Sequence, residues 1–509
     1  MTDQPANPDT AAVGGDLPEQ MRVRREKRER LIEKGYGAYP LKVERTHTLT
    51  DIRDQYDPQL TGGGLGPDTR TGEQVAITGR VIFLRNTGKL CFARLREGNG
   101  TELQVMLSLA DVGEETLADF KALVDIGDHL AVRGEVITSR RGELSVQATS
   151  WTMAAKTLRP LPIEHKPLSE EARVRLRYVD LIVRPEARSM VRTKAAVLKS
   201  LRSTLDQRGF LEVETPTLQL TNGGAAARPF RTHLNALDQE MLLRIALELD
   251  LKRALVGGVD RVYEIGRTFR NEGLDSTHAA EFSMLEAYEA YGDYNTMMDL
   301  TRSLVLDAAR AIGRTVVPAR DGTEIDLEGE WREAAILDLV SEALGEHVDV
   351  ETDAATLRRY ADKHDVDLQP QWGAAEIAVE LYEQLVEDSL IQPTFVKDYP
   401  AAVKPLAKPH RSVPGLNEAW DLIVNGVELA VAYSELNDPV IQRERLVEQS
   451  LLAAAGDPEA MDLDEDFLRA LEFGMPPAGG MGMGVDRLVM LLTGTGIRET
   501  ILFPLLRPE

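Results

Sequence analysis

A chain of 509 residues is long enough for two to four domains with cores of their own, and its single cysteine, Cys91, excludes internal disulfides and thiolate zinc sites, as suits a reducing compartment. Lys and Arg total 59 against 83 Asp and Glu, a formal charge of −24 that argues against indiscriminate nucleic-acid binding but leaves room for a local basic patch. The start, Met1-Thr2-Asp3-Gln4-Pro5, lacks the basic and apolar run of a secretory leader, and no apolar stretch is long enough to cross a bilayer, so a cytoplasmic protein without membrane contact is expected.

Residues 1–17, rich in Pro, Gly, Asp and Ala, are expected to form a disordered tail. A helical extension follows over 18–73, where Arg22, Arg24, Arg25, Lys27, Arg28, Arg30 and Lys34 alternate with acids; such a run is more often a solvated face than a phosphate contact. Over 74–157 the pattern changes to short β-type runs broken by glycine turns, among them 75–83, 102–107, 134–137 and 143–147. These predict a small barrel, for which an oligonucleotide-binding barrel and a purely structural one are both candidates. Cys91 is expected inside it as a small buried hydrophobe on a strand. Two close prolines make 158–168 a linker, with Leu158-Arg159-Pro160-Leu161-Pro162 at its start. The remainder, 169–509, mixes helical stretches at about 169–208 and 292–312 with strand-like runs at 241–245, 261–265 and 417–434. No regular βαβ alternation is present, which predicts an α+β fold. The stretch of about 313–410, with a helical pattern over 374–389, is expected to be an insertion.

Two segments carry chemistry. In the first, Phe269-Arg270-Asn271-Glu272-Gly273 leads through a loop holding His278 to a returning strand with Phe282, Met284, Glu286 and Tyr288 at alternate positions, hence on one face. An arginine there can grip a phosphate or carboxylate bidentately and an aromatic can stack on a base, although a structural hairpin with a salt bridge has the same outline. In the second, Gly480-Met481-Gly482-Met483-Gly484-Val485-Asp486-Arg487 alternates glycines before a run with helical spacing, which lets a backbone approach a ligand closely. It has neither the lysine of a Walker loop nor the βαβ setting of a dinucleotide site, but two arginines, one from each segment, suit a triphosphate.

Together these segments resemble motifs 2 and 3 of class II aminoacyl-tRNA synthetases, and Arg208-Gly209-Phe210-Leu211-Glu212-Val213-Glu214-Thr215-Pro216 is similar to their motif 1, all in the family's order. The barrel over 74–157 resembles the N-terminal OB-fold anticodon-binding domain of the aspartate, asparagine and lysine branches. Gly223-Gly224-Ala225-Ala226-Ala227-Arg228-Pro229-Phe230, Thr232-His233-Leu234-Asn235-Ala236-Leu237-Asp238 and Ser434-Glu435-Leu436-Asn437-Asp438-Pro439 point within these to the lysyl-tRNA synthetase branch. The resemblance implies an OB-fold β-barrel followed by an antiparallel-sheet catalytic domain with helices. It also implies L-lysine, ATP with Mg²⁺ and tRNA(Lys) as partners, and a homodimer through motif 1.

Carried over residue by residue, it places Arg270 between the lysine carboxylate and the α-phosphate, Arg487 on the γ-phosphate and Phe282 under adenine, with Glu272 and His278 near the nucleotide. The backbone of Gly224 and the side chain of Glu248 would meet the α-amino group, Glu435 and Tyr288 the ε-ammonium, with Glu286 lining that pocket and Tyr433 packing on the methylene chain. Glu428 matches a magnesium ligand, and Asp421 stands where a second, usually glutamate, is found. In the barrel, Phe92 would stack on an anticodon base while Gln104 and Glu143 read base edges; a core role is open to Phe92 as well. The sequence departs from the branch at Val431, where asparagine is usual, at Leu247 and Asp250 in place of proline and an aromatic, and at Ala279-Ala280 in place of Asn-Pro. A paralogue that adenylates another amino acid or uses a non-tRNA acceptor is therefore the alternative to a lysine enzyme, and an RNA-binding relic without ATP turnover is a third reading.

Overall fold

A computed structural model describes residues 18–57, 65–162, 168–275, 277–454, 456–457 and 459–507. The expected tail 1–17 lies outside these residues, as does 163–167 of the expected linker. The chain forms two compact units, the first running to Arg188 and the second starting at Ser189. Residues 169–188 cluster with the first unit. There Arg96 Nη1 donates to the Ile182 carbonyl at 3.4 Å.

In the first unit, helices α1 (Glu19–Glu33) and α2 (Leu49–Tyr56) precede a closed barrel of β1 (Arg70–Asn86), β2 (Leu90–Arg96), β3 (Glu102–Ser108), β4 (His129–Thr138) and β5 (Leu144–Ala155), ordered β1-β2-β3-β5-β4. Strict alternation sends Leu103, Val105 and Leu107 of β3 into the barrel and leaves Gln104 and Met106 on its outer face. Closure needs sharp bends. A bulge between Val81 and Phe83 provides one, and at a second, beside Gly134, a Cβ would stand 2.1 Å from the Gln147 carbonyl oxygen. Helix α3 (Glu114–Leu123) adds Leu117, Phe120 and Leu123 to the same core, where Trp151 stacks on Tyr36 at 4.7 Å and meets Phe120 edge-on at 5.5 Å. Cys91 is buried and free, as expected.

The basic helix α1 is held to the barrel by its own charges. Lys27 pairs with Asp125 at 2.5 Å, Lys34 with Asp119 at 2.8 Å, and Arg24 donates to the carbonyls of Ile126 and Thr157 at 2.9 and 3.1 Å. Of the seven expected basic groups, these three are thus structural.

The second unit holds helix α4 (Pro185–Gln207) from Ser189 onward. The expected helix over 169–208 is broken, with caps at Leu176 and Arg184; Arg184 precedes Pro185, whose ring disfavours helical geometry in the residue before it. In chain order follow β6 (Leu211–Glu212), β7 (Leu218–Gln219), β8 (Arg231–Leu234), β9 (Gln239–Leu243), α5 (Glu248–Val256), β10 (Arg261–Phe269), β11 (Glu281–Ala290), α6 (Tyr294–Ala311), β12 (Val316–Pro318), β13 (Glu324–Asp326) and β14 (Arg332–Ala335). Helices α7 (Ile336–Leu344), α8 (Ala354–Lys363) and α9 (Ala374–Leu385) come next, then β15 (Thr394–Pro400), β16 (Leu416–Val424), β17 (Val427–Ser434), β18 (Ala478–Gly484) and α10 (Val485–Thr493).

Eight strands form one sheet, β14-β15-β16-β17-β18-β11-β10-β6, antiparallel except for the parallel pairs at its two edges. The segment expected as an insertion, 313–410, therefore also supplies β14 and β15 of the main sheet; its helices α7, α8 and α9 pack Leu339, Leu357, Ile377 and Leu381 against Val396 and Tyr399 of β15 and Ala419 and Ile423 of β16. One face of the sheet is apolar. Leu285 and Ala287 of β11, Met481 and Met483 of β18, and Ala430 and Ala432 of β17 pack with Leu201, Leu205, Leu304 and Ala308 of α4 and α6. Because side chains alternate, Glu286, Tyr288, Val431 and Tyr433 stand on the opposite face.

Candidate active site

The register of the central strands assembles that face. Thr268 pairs with Phe282 and Glu264 with Glu286 across the β10–β11 hairpin, while Glu286 lies opposite Gly482 and Tyr288 opposite Gly480 of β18. On its other side β18 sets Gly482 against Val431 and Gly480 against Tyr433 of β17. The alternating glycines leave the space of the site. A Cβ at Gly480 would stand 2.0 Å from Glu435 Oε1 and 2.4 Å from Tyr288 Cε1. Asp486, 2 % exposed at the start of α10, accepts from the Ser283 backbone N–H at 2.9 Å and pairs with Lys194 at 2.5 Å, so it ties the glycine strand's helix to the hairpin.

Both expected arginines reach this face. The Arg270 guanidinium lies 5.4 Å over the Phe282 ring and its Nε donates to the Ile245 carbonyl at 3.4 Å. Burial lowers its pKa, against the pull of Glu272, Glu428 and Glu286. Arg487 donates to the Glu428 carbonyl at 2.7 Å and pairs with its carboxylate at 3.2 Å. Glu272 and His278 remain on the exposed hairpin loop, where His278 pairs with Asp275 at 2.9 Å; neither side chain is drawn into the pocket. The buried Ala280 holds the other end of that loop through its carbonyl, which accepts from the Arg270 N–H at 3.0 Å.

The neighbouring pocket gathers three buried carboxylates, Glu248, Glu286 and Glu435. Gly224, with φ of +85°, lies against α5 so closely that a Cβ would stand 3.3 Å from that of Glu248. Glu286 accepts from the Leu247 N–H and the Tyr288 hydroxyl, both at 2.9 Å, and burial together with the charge of Glu248 pushes its carboxyl up to about 7. Leu247 thus supplies a donor that the family's usual proline lacks. The second departure, Asp250, is matched by Arg253 at 2.8 Å and Gln219 at 2.9 Å. Val431 replaces the expected asparagine with a side chain that makes no polar contact.

Sequence reasoning missed the cation among these acids. Lys252, fully buried, bonds Glu248 at 2.6 Å and touches Glu435 Oε2. It falls one turn after Glu248 on α5, an i,i+4 spacing that could have announced it. Burial lowers its pKa but the two carboxylates more than restore it, so its ammonium is charged. Burial, with Glu248 alongside, raises the Glu435 carboxyl. Among the described residues Glu435 Oε1 has no hydrogen-bond partner. Tyr433 stands beside this group, close enough to feel both Glu248 and Glu435.

The acids expected to hold magnesium differ. Glu428 is 43 % exposed beside Arg487, whereas Asp421, 9 % exposed in its side chain, takes Lys404 Nζ on both oxygens at 3.0 and 2.9 Å. No group of three or more His, Cys, Asp and Glu side chains able to hold an ion occurs among the described residues.

On the barrel, Phe92 is half-buried on the outer face, not in the core. Its neighbours there are Arg85, Phe83 and Arg94, the last two in cation–π contact at 6.0 Å. Gln104 lies opposite Arg94 and donates to the Ser145 hydroxyl at 2.8 Å. Exposed Glu143 approaches Arg53 at 3.7 Å. Aromatics interleaved with arginines on an open face are what single-stranded nucleic acid stacks on.

This combination of barrel, antiparallel sheet and paired arginines agrees with sequence comparison. The family described as tRNA synthetases class II (D, K and N) matches residues 169–507, and the OB-fold nucleic acid binding domain matches 75–154. The chain belongs to the class II tRNA synthetases of the aspartate, lysine and asparagine group. It is 57 % identical to the lysine–tRNA ligase of Mycolicibacterium gilvum over 97 % of this chain and 98 % of the relative, and 56 % identical to that of Kineococcus radiotolerans over 97 % and 98 %. A bifunctional lysylphosphatidylglycerol biosynthesis protein of Mycobacterium marinum is 50 % identical over 97 % of this chain but only 44 % of its own length.

Proposed function

We propose that this chain is a lysine–tRNA ligase: it activates L-lysine with ATP to lysyl-adenylate, releasing pyrophosphate, and transfers the lysyl group to the 3′ end of tRNA(Lys). Charge balance in the pocket carries the reading. Glu248, Glu286 and Glu435 face Lys252 and Arg270, which leaves one net negative charge when all are ionised. Lysine, with two ammonium groups and one carboxylate, brings one net positive charge. A neutral amino acid would leave a buried charge unmatched, which disfavours it strongly. Arg270 would draw the substrate carboxylate toward the α-phosphate, Arg487 would hold the far phosphates and Phe282 the base, so that two anions meet in line. Glu272 and His278 would reach the nucleotide from the loop.

Of the acids, Glu428 is the one this chain offers to a magnesium ion arriving with ATP, which would neutralise phosphate charge. The tRNA would be read through Phe92, Gln104 and Glu143 on the barrel face, in the cytoplasm. Exposed Leu211, Leu218 and Leu220, at 60, 43 and 67 %, support a homodimer through the motif 1 segment.

The direct test is amino-acid-dependent exchange of labelled pyrophosphate into ATP across the standard amino acids, ornithine and β-lysine, with Arg270→Ala as blank. Lysine alone should drive exchange. If another amino acid does so, the pocket belongs to a paralogue, and if none does, the ligase reading fails.

A further inference from the structure

Asp421 of β16 and Lys404, just after β15, form a charge pair that the reaction outlined above does not use. Lys404 Nζ bonds both oxygens of Asp421, at 3.0 and 2.9 Å, and lies 4.5 Å over the Tyr399 ring and 5.9 Å from that of Tyr433. Its backbone is equally fixed. The Lys404 carbonyl accepts from Asn417 Nδ2 at 2.8 Å and from the Ala407 N–H at 3.1 Å. Only 18 % of the lysine side chain and 9 % of the aspartate side chain are exposed. An ammonium so placed is a compact point charge with aromatic faces around it.

We infer that the Lys404 ammonium is a built-in cation that takes, at Asp421, the place the family resemblance gives to a metal ion, leaving Glu428 as the acid open to metal. A divalent ion needs oxygen ligands at about 2.0–2.6 Å and would have to bind a carboxylate whose two oxygens already hold a positive charge. Like charges a few ångströms apart in a poorly hydrated site repel strongly, so the pair excludes the ion unless Lys404 leaves. Glu428, by contrast, is partly exposed and shares one oxygen with Arg487. The fixed ammonium stands 5.9 Å from the Tyr433 ring.

The inference rests on the ATP-binding reading of the site, and its test separates the two. Mn²⁺ bound per chain is counted by electron paramagnetic resonance in the presence of a non-hydrolysable ATP analogue, whose own binding is measured in the same samples by equilibrium dialysis. Wild type and Asp421→Asn should bind the same number of ions, Lys404→Ser one more, and Lys404→Ser/Asp421→Asn the wild-type number again. Loss of an ion on Asp421→Asn, or no gain in Lys404→Ser, overturns the inference while leaving the ligase reading intact. Failure of every form to bind the analogue sinks both. Because Lys404→Ser strands a buried carboxylate and can unfold the chain, wild-type crystals grown with Mn²⁺ and the analogue give a measurement that needs no variant. Anomalous peaks are expected near Glu428, with none within bonding distance of Asp421; a peak on Asp421 overturns the proposal.

Discussion

Glu286 has both oxygens bonded to donors of the chain itself, yet burial holds its carboxyl up at about 7. Folding therefore favours its neutral form. Its contribution to stability is complete below the unfolded value of 4.5 and is lost as pH rises through about 7. Lysine needs the ionised form, so its KM should fall about tenfold between pH 6 and 8, and the thermal shift that lysine induces should grow over the same window. Glu286→Gln should flatten both profiles in steady-state exchange and thermal melts. Leu247→Pro removes the N–H that favours the ionised carboxylate; at about 1.5–3 kcal/mol for a hydrogen bond to a charged group, the KM profile should move up by about one to two pH units. An unmoved profile would show that Glu286 does not meet the substrate.

At the level of elements, the glycine strand β18 and the outer face of the barrel each make a claim. Gly480→Ala forces a methyl group onto Glu435 and Tyr288 and should abolish lysine-dependent exchange while nucleotide binding persists; Gly482→Ala meets no chain atom closer than the flexible Met284 Cε at 3.4 Å and should leave the fold and the buried carboxylates undisturbed. Equal effects would mean that the strand, not the pocket, is sensitive. On the barrel, Phe92→Ala should weaken tRNA binding by about 1–3 kcal/mol, roughly five- to 150-fold, with exchange unchanged. Phe83→Ala should do likewise, because Phe83 shares that face and carries Arg94. The sequence spoke clearly for these strands. Periodicity of two put Phe282, Glu286 and Tyr288 on one face before any contact was known, and it was less informative where helices end, as at Arg184 before Pro185, or where β14 and β15 join a sheet across intervening helices.

For the whole molecule, the apolar side chains of 211–220 should be covered by a second copy. Sedimentation at micromolar concentration is expected to show a dimer and Leu220→Asp to shift it to monomer; a wild-type monomer would remove the motif 1 reading. The sequence by itself determined the family and the order of barrel and sheet, because ligand chemistry restricts residue type within short, recognisable segments. Only the tertiary structure decided what neutralises what. Lys252 meets Glu435, Lys404 closes on Asp421, and Lys194 finds Asp486 from 292 positions away. Such pairs are made by strand register and helix docking, so a buried charge acquires its partner only when the sheet brings distant segments together.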